Sequence, residues 1–104
     1  MSVEKINSVK FSDEVLKSQS LVLVDFYADW CAPCRMLRPT VEAIAEEKSS
    51  LKVFCVNIDE ESLLAQNYDI NSIPCLILFE NGKEKARSIG VKDKESIIKD
   101  LGIL

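Results

Sequence analysis

Cys31 and Cys34 stand in the stretch Ala28-Asp29-Trp30-Cys31-Ala32-Pro33-Cys34-Arg35. Two thiols with two residues between them can close into a disulfide and reopen. The same spacing serves a zinc knuckle or a static bridge, so it selects no chemistry alone. The chain has four cysteines and no histidine. Cys-His and Ser-His nucleophile pairs are therefore excluded, as is any metal site built with imidazole. Zinc would have to draw on Cys55 and Cys75 for further sulfur. Those two lie on separate segments and do not form a second knuckle. One acidic residue, Asp25, sits inside an otherwise apolar run shortly before the pair.

Around these residues the periodicity defines the elements. Val3 to Asn7 is a weak strand. Ser8 to Lys17 reads as a short helix with Phe11, Val15 and Leu16 near one face. Leu21 to Tyr27 is the clearest strand, apolar almost throughout, as in a sheet covered on both faces. A helix follows from about Cys31 to Lys48, with Leu37, Val41, Ile44 and Ala45 on one stripe. Pro33 is harmless in its first turn, whereas Pro39 lies inside and should kink it. Leu51 to Ile58 is a further strand. Asp59 caps a short helix reaching about Asn67. Cys75 to Phe79 forms a strand, Asn81-Gly82 a hairpin turn and Lys83 to Ile89 the returning strand. A last helix, about Lys92 to Leu101, turns Ile97, Ile98 and Leu101 inward.

The order β-α-β-α-β-α-β-β-α implies an α/β fold. A parallel sheet carries helices on both faces, and the closing hairpin adds an antiparallel edge. In such sheets functional groups gather at the carboxyl ends of strands. That location gives the cysteine pair its meaning, because it follows a buried strand and opens a helix. Free N–H groups and the helix dipole stabilise a thiolate there, and such a thiol titrates below the ordinary cysteine value. Cys31, at the exposed helix start beside Trp30, is the expected nucleophile. Cys34, one turn in, is the expected resolving thiol and needs a base. Asp25 at the foot of the site is the candidate, since burial raises a carboxyl toward neutral pH. Trp30 reads equally as packing or as part of a substrate surface.

The rest of the composition narrows the field. At 104 residues, 47% hydrophobic and 29% charged, the chain reads as one globular domain, 1–104. Its three glycines, Gly82, Gly90 and Gly102, cannot build a GxGxxG turn or a phosphate loop. A net charge of -4 argues against nucleic acid. The densest basic stretch, Lys83 to Arg87, is interrupted by Glu84 and reads as hairpin surface. No segment approaches the roughly 20 apolar residues of a membrane helix. The N-terminus shows no apolar signal region, so a cytoplasmic location is expected. In a reducing compartment cysteines are catalytic, metal-binding or simply buried. Cys55 and Cys75 are read as small buried residues, with Cys75 carrying the sharper possibility of a second redox contact.

The run Val24-Asp25-Phe26-Tyr27-Ala28-Asp29-Trp30-Cys31-Ala32-Pro33-Cys34 resembles the active-site stretch of the thioredoxin family. The resemblance extends over essentially the whole chain. It takes in Pro39, Val56-Asn57-Ile58-Asp59, Ile73-Pro74, Asn81-Gly82 and Gly90. It implies the thioredoxin fold, a central mixed β-sheet flanked by helices, with Ile73-Pro74 a cis peptide facing the cysteines. It also implies a substrate groove formed by Trp30, Ala32, Pro33, Ile73 and Pro74. The activity implied is reduction of protein disulfides by a monomer without bound cofactor or metal. The partners implied are disulfide-containing targets and a thioredoxin reductase, nicotinamide- or ferredoxin-linked. The competing readings are a cysteine-ligated zinc module and a non-catalytic interaction subunit. Four positions depart from the family pattern. Ala32 replaces a usual glycine, Tyr27 a common tryptophan and Cys75 a usual threonine. Cys55 stands where many members place a lysine near the buried aspartate, so Asp25 is expected to be harder to ionise here.

Overall fold

A computed structural model describes residues 3–103. The elements in chain order are β1 (Glu4–Lys5), α1 (Ser8–Phe11), β2 (Val22–Tyr27) and α2 (Ala32–Glu47), then β3 (Lys52–Asn57), α3 (Ser62–Asn67), β4 (Cys75–Glu80), β5 (Lys83–Ile89) and α4 (Lys94–Leu101). The five strands form one sheet in the order β1-β3-β2-β4-β5.

The apolar run of residues 22–26 becomes the central strand, buried along its length. Its residues alternate between two cores. Val22, Val24 and Phe26 pack with Phe11, Val15 and Leu64 on one face. Leu23 faces the other way, against Leu37, Val41 and Ile44 of α2 and Ile97 and Leu101 of α4. Asp25 is on this second face by the two-residue period of a strand. Each fully buried aliphatic side chain stabilises the fold by roughly 1.5–3 kcal/mol.

Strand direction corrects the expectation of a parallel sheet whose reversal comes only at the closing hairpin. β1, β3 and β2 are parallel. β4 already runs antiparallel to β2, with Cys75 opposite Phe26 and Phe79 opposite Val22. Helix length explains the reversal. The 16 residues of α2 span about 24 Å, enough to carry the chain back along a six-residue strand of about 20 Å. The six residues of α3 span only about 9 Å. The chain therefore stays at the carboxyl end of β2 and enters β4 there, which delivers Pro74 and Cys75 to the end that carries the cysteine pair.

Other elements shift in detail. The first helix is capped by Asn7, whose side chain accepts the Lys10 N–H, and loosens into a π-helical turn over Ser12–Leu16. Phe11 and Val15 are buried as expected, while Leu16 is exposed. The third helix starts at Ser62, and Asp59 does not cap it. Instead the Asn57 side-chain oxygen accepts the Asp59 and Glu60 N–H groups at 2.9 and 3.2 Å. Asp93 caps the last helix by accepting the Ser96 N–H. Its Ile97 and Leu101 point inward, and Ile98 is only partly covered. The chain stays helical through Pro39. Asn81 and Gly82 both take positive φ, 53° and 77°, as a tight hairpin requires. Among the described residues no helix is long and apolar enough to cross a membrane.

Candidate active site

Helix α2 begins directly beyond the carboxyl end of β2, and its N-cap is Cys31. The sulfur takes the place of a capping oxygen: Cys31 Sγ accepts the Cys34 N–H at 3.1 Å. Ala32 and Pro33 occupy the first two helical positions, where the proline has no intrahelical donor to lose. Cys31 and Cys34 are joined as a disulfide with their Cα atoms 5.2 Å apart. Burial corrects one expectation. Cys31 is only 4% exposed and Cys34 2%, so the nucleophile candidate is not openly displayed. The pair shares a small cluster with Ala28, Tyr27, Ile58 and Ile73. Segments distant in sequence provide part of that cover.

The Ile73-Pro74 bond is cis, as the family resemblance implies. The Ile73 carbonyl lies 4.0 Å from Cys31 Sγ, and the two residues are 42 apart in sequence. The Pro74 carbonyl accepts the Gly90 N–H at 2.9 Å and so ties the loop to the end of β5. Trp30 is 68% exposed, yet its orientation is fixed, because the indole Nε1–H donates to Asp59 Oδ2 at 2.8 Å. Ala32 and Pro33 are exposed next to it. Trp30, Ala32, Pro33 and half-buried Ile73 thus offer apolar surface around the sulfur pair. The role of Asp59 in holding Trp30 was not visible from spacing.

Asp25 has no exposed surface. Neither carboxylate oxygen has a hydrogen-bond partner among the described residues. Arg38 Nε approaches Oδ2 to 3.6 Å, which is an ion pair but too long for a hydrogen bond. Burial pushes the Asp25 carboxyl up from 3.8 to about 6, with the Arg38 charge pulling it back down. Arg38 is the charged residue beside this carboxyl that sequence reading missed. It follows Cys34 by one helical turn, so the two share a face of α2. Its guanidinium lies 5.0 Å from the centre of the Tyr27 ring. Cys34 and Arg38 also line a cleft of about 280 Å³ with Tyr27, Ala28, Asp29 and Arg35. A cation on an otherwise apolar buried stripe was the available signal, because such a charge needs a buried anion and Asp25 is the one present in the central strand.

The two remaining cysteines separate. Cys55 is opposite Asp25 in the β2–β3 register and on the same face. Burial pushes its thiol up, and Arg38 again opposes. Cys75 pairs with Phe26 and packs with Ile77 and Phe79 on the opposite face. Burial pushes that thiol up too. Cys75 is thus adjacent to Pro74 in the chain but turned away from Asp25. Among the described residues no three cysteine, aspartate or glutamate side chains are grouped to hold a metal ion.

Comparison with known proteins agrees with this geometry. The family model for Thioredoxin matches residues 2–102. The thioredoxin of Chlamydia trachomatis is 45% identical over 97 residues, which is 93% of either chain. That of Rickettsia bellii is 46% identical over 94 residues, 89% of this chain and 90% of its own. That of Porphyra purpurea is 44% identical over 98 residues, 93% of this chain and 92% of its own. A match of this extent, on a mixed sheet with a disulfide at the start of its longest helix, shows that the chain belongs to the thioredoxin family.

Proposed function

We propose that this protein is a thiol–disulfide oxidoreductase that reduces disulfides in other proteins. The observation that carries this reading is the closed Cys31–Cys34 pair at the N-terminus of α2, which can store and return two electrons. In the reduced protein the Cys31 thiolate attacks a target disulfide, forming a mixed disulfide and releasing one target sulfur as a thiolate. Cys34 gives its proton to Asp25, and its sulfur attacks Cys31 Sγ. The Cys31–target bond breaks, the target leaves as a dithiol and the protein is left oxidised. No bound cofactor or metal takes part, since the electrons reside on the two sulfurs.

The target lies in extended form across Trp30, Ala32, Pro33, Ile73 and Pro74. The indole bond to Asp59 and the Ile73 carbonyl beside Cys31 support that docking. A separate thioredoxin reductase, nicotinamide- or ferredoxin-linked, returns the protein to the dithiol. The chain works as one domain and as a monomer, in the cytoplasm. The test is turbidity from insulin reduction by dithiothreitol, comparing the protein with Cys31→Ser. The protein accelerates precipitation and the variant does not. Equal rates refute the catalytic role.

A further inference from the structure

We propose that Arg38 is a positioning residue that acts through Asp25, keeping the buried carboxyl ionised at the neutral pH at which it must take the Cys34 proton. The inference rests on the proton-transfer reading of Asp25 and goes beyond it by naming what makes that carboxyl usable.

The surroundings of Asp25 leave few other sources of charge stabilisation. On β4 its register partner is Leu76, which carries no charge. On β3 the partner is Cys55, a thiol that burial keeps protonated. On its own strand the next residue on that face is Tyr27, a neutral phenol whose pKa burial raises further. Helix α4 covers the face with Ile97 and Leu101. From α2 come Cys34 and Arg38. Among the described residues the Arg38 guanidinium is the positive group paired with the carboxylate; Arg35, on the same cleft, donates to the Asp29 carbonyl instead.

The geometry of Arg38 suits charge stabilisation without capture of the carboxylate. Its Nε is buried and bonded to no acceptor among the described residues. The guanidinium carbon sits over the Tyr27 ring at 5.0 Å from its centre, and 29% of the side chain remains exposed in the cleft that also contains Cys34. At 3.6 Å from Oδ2 it attracts the ionised carboxylate but leaves the oxygen lone pairs free of hydrogen bonds. A bidentate bond would hold the carboxyl well below neutral pH and make it a poor acceptor for the Cys34 proton. No cation at all would leave burial unopposed, and the carboxyl would stay protonated at neutral pH.

When Cys34 attacks, its proton therefore has a destination. The Cys34–Cys31 bond forms, the bond from Cys31 to the target sulfur breaks, and the target sulfur is reduced as it leaves. Cys31 and Cys34 are oxidised together, and Asp25 ends the step protonated. This arrangement also answers the substitution at position 55. The positive charge that β3 lacks beside Asp25 is supplied by α2.

The test is a carboxyl-carbon NMR titration of Asp25 in the oxidised protein, where neither active-site thiol titrates. It compares the wild type with Arg38→Gln and Arg38→Lys. The glutamine variant raises the Asp25 midpoint by about one pH unit or more, and the lysine variant returns it by at least half that rise. An unmoved midpoint in Arg38→Gln overturns the proposal, as does a lysine variant that titrates like the glutamine one. Arg38→Met, which keeps an unbranched stem over Tyr27, serves if the glutamine variant does not fold. A stopped-flow reaction of the reduced protein with dithionitrobenzoate reads the resolving step as release of the second thionitrobenzoate. At about pH 7 that phase slows about twofold for a one-unit rise and about tenfold for two, and recovers near pH 9. A raised midpoint with an unslowed second phase supports the control of Asp25 by Arg38 and refutes the base role of Asp25 itself.

Discussion

Asp25→Asn should make the protein more stable at neutral pH than the wild type, by an amount the structure sets. The carboxyl has no exposed surface and is pushed from 3.8 to about 6. That gap is roughly two pH units, and at about 1.4 kcal/mol per unit it corresponds to about 3 kcal/mol. Below about pH 3 the side chain is protonated in both the folded and the unfolded chain, so it contributes no pH dependence. Between about pH 4 and 6 the folded chain holds a proton that the unfolded chain releases. Stability then falls as pH rises. Above about pH 6 both states are ionised and the full cost of the buried charge is in place. Asparagine is neutral throughout, so the variant lacks this decline. Guanidinium unfolding of the oxidised proteins at a series of pH values measures it, with the disulfide removing titration of the active-site thiols. The stability difference should grow by about 3 kcal/mol in favour of the variant between about pH 3 and 7. Effects of the amide that do not depend on pH cancel in this comparison. Parallel stability curves would refute the reasoning, because they would mean that Asp25 titrates alike in the folded and unfolded chain.

Gly82→Ala should cost more than about 2 kcal/mol in an unfolding titration, because a left-handed alanine alone costs roughly 1–2 kcal/mol. At φ 77° its Cβ also runs into the Leu16 carbonyl. Gly102→Ala has a similar φ but open space, so it should show only the conformational part, and equal losses at the two sites would contradict the clash. Iodoacetamide should add nothing to the native oxidised protein and two adducts after unfolding, since Cys55 and Cys75 are both buried with raised thiol pKa values. Mass spectrometry of the oxidised form should find the Cys31–Cys34 bridge and no bridge to Cys75; a native adduct or a Cys75 bridge would restore that residue as a redox partner.

The parts of this protein that local patterning controls were legible in the sequence. Apart from Asp25, residues 22–26 are apolar on both strand faces, and each face has a helical layer to cover it. Leu37, Val41, Ile44 and Ala45 lie on one stripe of a helix, and all are buried. Asn81-Gly82 makes the hairpin its dihedral preferences favour. Properties that depend on distant segments were not legible. Periodicity gives a strand its faces but not its direction. The reversal of β4 follows from a third helix too short to recross the sheet. The covering of Cys31 depends in part on Ile73, 42 residues away. The face that Cys75 occupies depends on its pairing with Phe26.

Position 55 shows how such a limit affects a functional argument. Cys55 stands where the family resemblance leads one to expect a lysine, so Asp25 is expected to be harder to ionise, and burial does raise it to about 6. A buried carboxylate is stabilised by a positive charge within a few ångströms, whichever element supplies it. β2 lies beneath α2 as well as beside β3, and a long arginine stem reaches from the helix to the same oxygen. Arg38 thus offers a charge from the helix side, while burial still leaves the carboxyl raised. Cys55, on the same face, has its thiol pushed up by burial and so makes no competing charge at neutral pH. Positions 38 and 55 should then be judged as a pair. Arg38→Gln combined with Cys55→Lys should bring the Asp25 midpoint back toward the wild-type value, because the charge returns from the strand side. If the double variant titrates like Arg38→Gln alone, proximity of charge is not what controls this carboxyl, and the Tyr27-held geometry of the guanidinium is.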